Sequence, residues 1–490
     1  MSRRREVPPW LSRADRSAPW DSLQVCVAGL GVSGFAAADA LLSLGAAVTV
    51  VDARDGGPVG ERAQVLSLLG ADVRLGEGEQ GDLPVGAQLV VTSPGWRPTA
   101  PLLTAAEQAG VPVWGEVELA WRLRRRSDSS PWLVVTGTNG KTTTVRMLAS
   151  MLAAAGHRTV AAGNVGTPVV EVVMAQPGYD VVAVELSSFQ LHWTTSVSPL
   201  AAAVLNVAPD HLDWHGSLQA YTEDKSRAYR NSQVACVYNV ADPVTEQLVR
   251  EADVVEGCRA VGFTLGVPAV GMLGVVDGVL VDRAFVPDRA HAATEIASVA
   301  DVVPFAPHNV ANALAAAALA RAYGVAADAV RDGLGAFRPD PHRIACVAVL
   351  DEVSYVDDSK ATNPHAAAAS LAAYPSIVWI AGGLAKGADF DDLGVGAAPR
   401  LRAVVLLGRD RSVIANALAR HAPDVPVVEV MSNETGVMDE VVRAAAALAH
   451  PGDTVLLAPA CASMDLFGDY AARGDAFAEA VGRLPGGSRR

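Results

Sequence analysis

The chain has 490 residues, of which 50% are hydrophobic and 19% charged, with a formal net charge of −14. That length exceeds one compact core and predicts two to four domains, with too much apolar material for a largely disordered chain. The acidic balance excludes a general nucleic-acid binder, which needs basic surface, but permits small phosphorylated ligands held by a few local donors.

The N-terminal residues carry charges but no apolar signal-peptide core, and no run of about 18 uncharged apolar residues suggests a membrane span. Cys26, Cys236, Cys258, Cys346 and Cys461 are scattered, odd in number and form no CxxC pair. A disulfide framework or zinc site is therefore not expected, and a reducing, cytoplasmic setting without membrane insertion is. Residues 1–20 read as a loose extension with no assigned role.

QVCVA (24–28) reads as a strand, FAAADALLSLG (35–45) as a helix and AVTVV (47–51) as a strand, which makes a βαβ unit and predicts a parallel sheet. QLVVT (88–92) adds a strand that ends in Ser93-Pro94-Gly95. The polar stretch RRRSDSSP (124–131) breaks the pattern, and a second α/β unit starts at WLVVTG (132–137), with further strands at 180–185 and 201–207. Residues 251–304 are Val- and Gly-rich and predict a small antiparallel β section. A helix starts near His308. FRPDPHR (337–343) is a second break, after which strands are expected at 353–358, 376–383, 402–408 and 453–459. The fold class is α/β in three domains, bounded at 1–120, 121–339 and 340–490.

Gly29-Leu30-Gly31-Val32-Ser33-Gly34 follows a strand and opens a helix, the context in which GxGxxG cradles a diphosphate on helix N–H groups. Asp52 ends the next strand and is placed to accept from a ribose or uracil, and Arg54 to meet phosphate. A tight turn, a nicotinamide dinucleotide and another nucleotide diphosphate all fit this loop.

The stronger signal is Thr136-Gly137-Thr138-Asn139-Gly140-Lys141-Thr142-Thr143, where a buried strand runs through a Gly-rich turn into a helix. Amide groups there can wrap a polyphosphate, Lys141 adds a mobile charge and Thr142 offers a hydroxyl to magnesium. Only two residues separate the glycines, so this is a P-loop variant, and ATP is the expected ligand. Glu185 ends a neighbouring strand and suits a hard cation. Asn206, Asp210, His211 and Asp213 crowd the same rim, and spacing does not decide which of them binds.

GTNGKT at 137–142, Glu185 in ELSSFQL, DHLDWHGS at 210–217, HNVANA at 308–313 and PHR at 341–343 followed by DDSKATNP together resemble the Mur ligases, from Gly29 to about Leu484. The resemblance implies a Rossmann-like first domain for a UDP-linked substrate, a central ATPase and a Rossmann-like third domain for an amino acid. Within the family the similarity is to the branch that joins D-glutamate to UDP-N-acetylmuramoyl-L-alanine through an acyl phosphate. It implies that Gly31, Val32, Ser33, Asp52, Arg54, Ser93 and Gly95 line the UDP site and that Asn164 touches the muramoyl part. Glu185, His211 and Thr142 would partner magnesium, with two ions expected, and Lys225 would carry a carbamate. Asn309 and Asn312 would lie near adenine, with Arg343 and Asp358 also serving ATP. Lys360, Thr362, Lys386, Ser463, Met464 and Tyr470 would hold the glutamate. A monomer is expected.

A sister ligase with another acceptor is the nearest alternative, although the lysine of Asp358-Ser359-Lys360 suits a doubly anionic acceptor and would repel an additional amine. A folylpolyglutamate synthetase lacks the first glycine-loop domain. The P-loop argues against a nicotinamide-dependent oxidoreductase.

Overall fold

The computed structural model describes residues 6–125, 129–431 and 436–485. Three sheets form in chain order. The first contains β1 (Gln24–Ala28), β2 (Ala47–Asp52), β3 (Asp72–Leu75), β4 (Leu89–Thr92) and β5 (Val113–Gly115), all parallel, in the order β3-β2-β1-β4-β5.

The second sheet has nine strands: β6 (Trp132–Thr136), β7 (Thr159–Gly163), β8 (Val181–Glu185), β9 (Ala201–Val204), β10 (Ala235–Asn239), β11 (Arg259–Phe263), β12 (Met272–Val276), β13 (Val279–Asp282) and β14 (Thr294–Ser298). Their order is β14-β13-β12-β11-β10-β9-β6-β8-β7. The expected antiparallel section is realised only as β12-β13-β14; β11 pairs parallel with both β10 and β12, so the section extends the main sheet.

The third sheet holds β15 (Ala345–Leu350), β16 (Val353–Asp357), β17 (Ile377–Gly382), β18 (Leu401–Leu407), β19 (Val427–Glu429) and β20 (Thr454–Leu457), in the order β15-β16-β20-β17-β18-β19. Only β15 runs antiparallel. β4, β6, β8, β9, β17 and β20 are buried at every position. That is why they read as near-continuous runs of Val, Leu and Ala: helices cover both faces of a parallel sheet.

The chain divides into two compact units, residues 1–298 with 312–336 and residues 299–311 with 337–490. The first unit carries the first two sheets and the second unit the third. In the first unit the helix Ala327–Ala336 lies tightly on the helix Lys141–Ala154. Ser150 Oγ donates to Gly333 O at 2.7 Å, and a Cβ at Gly333 would sit 2.4 Å from Met151 Cα.

The N-terminal segment corrects the sequence reading. Residues 1–5 lie outside the described residues, but Leu11 and Trp20 are each only 1% exposed and belong to the core under the first two sheets. Trp20 Nε1 donates to Asp15 O at 2.9 Å, and Trp10 meets the Trp20 ring edge-on at 5.8 Å. The apolar residues are too few and too irregularly spaced to show a period, so their burial was not visible in the sequence. Trp20→Ala is expected to lower stability by about 3–5 kcal/mol, as other large core truncations do; urea unfolding that left the midpoint in place would return the segment to a loose extension.

Candidate active site

The first glycine loop connects β1 to the helix Val32–Ser43. Asp52, buried at the end of β2, accepts from Leu30 N at 2.7 Å, Arg54 N at 2.9 Å and the Arg54 guanidinium at 3.2 Å. Burial raises its pKa, but the Arg54 side chain and these amides outweigh it, leaving the carboxyl below its ordinary value. Asp52 therefore builds the loop, beyond any contact it makes with a ligand. Ser93 Oγ donates to Gly29 O at 3.0 Å and braces the loop from the end of β4. Around Gly31 and Gly95 there is open space, Val32 is exposed and the Arg54 side chain points largely into solvent.

The second loop leaves β6, the strand between β8 and β9. Gly140 caps the helix Lys141–Ala154 at φ +83°, a left-handed conformation that glycine adopts without strain. A Cβ there would come 2.4 Å from Asn312 Oδ1, so Asn312 packs directly on the loop. Asn206, at the end of β9, brackets Asn139: it accepts from Asn139 N at 2.8 Å and donates to Asn139 O at 3.1 Å. The Thr138 hydroxyl lies 2.9 Å from the Tyr221 hydroxyl and donates to Ala208 O. Lys141 Nζ donates to Gly137 O and Thr138 O, both at 2.9 Å. Thr142 and Thr143 follow in the first helical turn.

Glu185 ends β8 and is 1% exposed. One carboxylate oxygen accepts from Asn164 Nδ2 at 2.8 Å; the other is buried without a hydrogen-bond partner. An orphaned buried carboxylate oxygen is costly unless a cation or proton meets it. Under the P-loop, Lys225 is 1% exposed, donates to Gly137 O at 2.9 Å and lies 4.4 Å from the Tyr221 ring centre. Burial, then Lys141, pulls its pKa well below that of an ordinary lysine, against Asp210 and Asp224. His211 caps a short helix at φ +52° and packs 4.8 Å from the Phe189 ring. Burial lowers its pKa, Asp210 opposes this, and the nearby Lys141 and Lys225 add to the lowering. Asp213 turns outward to Arg97 at 3.1 Å.

Among the described residues no three His, Cys, Asp or Glu side chains converge to hold a metal by themselves. The residues present still fit a cation that shares its oxygens with a phosphate: Glu185 supplies an unsatisfied oxygen, and Thr142 stands at the head of the helix.

The helix Glu116–Arg122 ties the first two sheets together. Glu118 accepts from both Thr195 and Ser196, backbone and side chain alike, and from Arg122. Glu116 accepts from Val170 N at 2.6 Å, and its other oxygen has no partner. Burial pushes the Glu116 pKa up to about 7, partly offset by the Val170 amide. A carboxyl with a raised folded-state pKa binds its proton more tightly in the folded chain, so stability declines as pH rises from about 4.5 to about 7. Glu116→Gln is expected to remove about 3 kcal/mol of that decline. Unfolding free energies measured from pH 5 to 8 that slope equally in both proteins would contradict it.

In the second unit, the loops after β16, β17 and β20 meet at the carboxyl ends of parallel strands, where α/β sheets bind ligands. Arg473, 1% exposed on the helix Tyr470–Gly482, donates to Ser359 Oγ (3.0 Å), Ser359 O (2.8 Å) and Cys461 O (3.1 Å). It thereby locks the loop of Lys360 and Thr362 to the loop of Ser463 and Met464. Lys360 Nζ sits 3.9 Å from the Tyr470 ring centre. Leu384 and Ala462 bridge the β17 and β20 loops, and Lys386 follows at φ +50°. Ser463 is buried and Met464 exposed. Asp358 is buried, accepts from the Ser370 hydroxyl and from Ile344 N, and is pushed up to about 6 by burial. Arg343 Nε lies 3.8 Å from Asp340, and Asn309 Nδ2 donates to Pro304 O.

Sequence reasoning missed Tyr221, Asp224 and Arg473. Each is a common residue type in a helix with no motif around it, so only the fold reveals its contacts.

A P-loop after a parallel strand, a buried carboxylate at the end of the neighbouring strand and a separate α/β sheet with a lysine-lined rim fit an ATP-dependent ligase. Comparison with known proteins agrees with that class. Three family models match: "Mur ligase MurD-like, N-terminal domain" over residues 23–115, "Mur ligase middle domain" over 135–320 and "Mur ligase, glutamate ligase domain" over 342–461. The chain belongs to the Mur ligase family. It is 65% identical over 464 residues to the UDP-N-acetylmuramoylalanine–D-glutamate ligase of Streptomyces avermitilis, covering 94% of this chain and 98% of that protein. The enzymes of the same name from Thermobifida fusca and Mycolicibacterium smegmatis are 60% and 48% identical, covering 94% of this chain and 99% and 96% of theirs. Among solved structures, UDP-N-acetylmuramate-alanine ligase MurC of Thermotoga maritima aligns with a TM-score of 0.55 at 20% identity, over 93% of this chain and 98% of that one. MurF ligase of the same organism, solved with ADP, gives 0.54 at 17% identity, over 96% and 98%. These two likenesses speak for the fold alone.

Proposed function

We propose that this ligase adds D-glutamate to UDP-N-acetylmuramoyl-L-alanine with ATP, in peptidoglycan precursor synthesis, and releases ADP and phosphate. The observation that carries this reading is the 65% identity, over 94% of this chain, to a relative named for that reaction.

The chemistry follows from the residues. A carboxylate resists attack by an amine, because a second negative charge would build up on it. Transfer of the ATP γ-phosphate onto the alanyl carboxylate gives an acyl phosphate, and the glutamate amine then displaces phosphate. The amides of residues 137–142 cradle the phosphate chain, and Lys141 swings from its own loop carbonyls to offset charge on the transferring group. Magnesium would be held by Thr142 and Glu185, with His211 near and with Lys225 as a carbamate; when bound, it neutralises charge on the phosphates. Carbamate formation needs the neutral amine, and burial shifts the Lys225 pKa downward, toward that form. Asn164 orients Glu185 and faces the muramoyl part. Gly31, Ser33, Arg54, Ser93 and Gly95 receive the UDP end; Asn309, Asn312, Arg343 and Asp358 serve ATP. Lys360, Thr362, Lys386, Ser463 and Tyr470 take the two carboxylates of the acceptor, with Met464 at the rim.

The test is phosphate release with ATP, magnesium and UDP-N-acetylmuramoyl-L-alanine, comparing D-glutamate with L-glutamate, L-alanine and diaminopimelate. Release that depends on D-glutamate supports the reading. Release with a different acceptor would leave a Mur ligase of another specificity.

A further inference from the structure

The lysine helix, Leu218–Ser226, has only nine residues and follows Gly216 at φ +80°. A helix that short is not rigid in isolation, and a lysine side chain adds four rotatable bonds. Yet the Lys225 amine meets a single carbonyl in a fully buried place. Two contacts hold the helix. Near its start, Tyr221 meets Thr138 of the P-loop. Near its end, the residue before the lysine, Asp224, is buried and gripped by three donors from three segments. His192 Nδ1 lies 2.9 Å from both carboxylate oxygens, His215 Nδ1 2.9 Å from Oδ2 and Arg227 3.2 Å from Oδ1.

The grip continues past the carboxylate. The His215 side chain is fully buried, and its Nε2 lies 3.0 Å from the Ser188 hydroxyl. With Nδ1–H donated to Asp224, Nε2 accepts from Ser188, so one tautomer satisfies both bonds. Phe189 stacks on the His215 ring at 5.5 Å and 5°. Ser188 opens the helix three residues after Glu185. A single hydrogen-bonded line thus joins the segment that carries Glu185 to the helix that carries Lys225.

We propose that Asp224, clamped by His192, His215 and Arg227 and linked through His215 to Ser188, is the positioning residue that sets Lys225 against the P-loop carbonyl of Gly137. The proposal deepens the reading of Lys225 as a magnesium partner and rests on it. Asp224 touches no substrate; it acts through the lysine helix.

The experiment measures kcat, KM for each substrate, half-saturating magnesium and thermal unfolding of the full chain with Asp224→Asn, His215→Phe and His215→Asn. Asparagine at 215 keeps a donor near the place of Nδ1 and loses the ring. Asp224→Asn and His215→Phe are expected to lower kcat and to raise half-saturating magnesium by about 10- to 100-fold, the range for residues that orient metal partners. KM for ATP and for the UDP substrate should stay within about two-fold, and His215→Asn should recover most of the loss, as a pre-organised support predicts. Unchanged kcat and magnesium dependence would overturn the proposal. So would a parallel rise of every KM with a large fall in melting temperature in both His215 variants, which describes a structural role only. Carbon-13 NMR after incubation with labelled bicarbonate, with Lys225→Ala as control, reads the carbamate separately. If the wild-type chain shows no Lys225-dependent signal, the carbamate reading fails, while the kcat and magnesium comparison still decides whether Asp224 positions the lysine.

Discussion

Lys225→Ala is expected to lower kcat for ligation by on the order of 1,000-fold, the upper range for removing one electrostatic group from a reacting centre. Binding of the UDP substrate, followed by calorimetry, should change little, because the first glycine loop does not involve this lysine. Lys225→Arg separates two explanations. An arginine keeps the positive charge and cannot form a carbamate. If the charge itself mattered, the arginine variant would retain much of the rate; if the lysine becomes an oxygen donor, it should be as inactive as alanine. The surroundings favour the second outcome. The amine is buried beside Lys141, and both burial and that neighbour disfavour a second positive charge at this place.

Gly34→Ala should be the most damaging single methyl at the first glycine loop. A Cβ at this position would stand 1.8 Å from Gly29 O and 2.8 Å from Ser93 Oγ. The first atom is backbone and cannot rotate away. The loop can accommodate the methyl only by parting from its helix, which breaks the Ser93 brace and the Asp52–Leu30 bond together. Overpacking of this kind costs about 3 kcal/mol or somewhat more. KM for the UDP substrate is expected to rise at least about ten-fold with KM for ATP little changed, the pattern of a lost binding contact. Equal effects on both substrates would mean that the loop does not serve the UDP end.

The central features of this protein were legible because they are local. β1 falls on Gln24–Ala28 as read, the helix around His308 runs Pro307–Tyr323, and Ser217 caps the lysine helix through Ala220 N. A strand flowing into Gly-Lys-Thr leaves little freedom of interpretation. What stayed hidden depends on distant parts of the chain. Asp224 and His192 are 32 residues apart, and Arg473 and Ser359 are 114 apart. No period or spacing links them. β7, β10 and β15 were not singled out either: burial in them is mixed, and β15, although an unbroken apolar run, is the half-exposed edge strand of its sheet. Asp52 shows a further limit. Its position at the end of β2 marked it as a ligand contact; that its oxygens also hold the loop backbone and Arg54 was not visible in the sequence.

The tight seat of the helix Ala327–Ala336 on the P-loop helix bears on synthesis at the ribosome. The first sheet closes within residues 24–115 and can fold while most of the chain is still unmade. The nucleotide loop at 137–142 emerges soon afterwards, but the helix it heads has one flank bare until Gly333 arrives to pack on Met151. A nascent chain therefore gains its first loop early and its ATP-handling loop some two hundred residues later, by elongation at about 5–20 residues per second. Chains stopped in between would carry a formed first sheet and no supported ATPase.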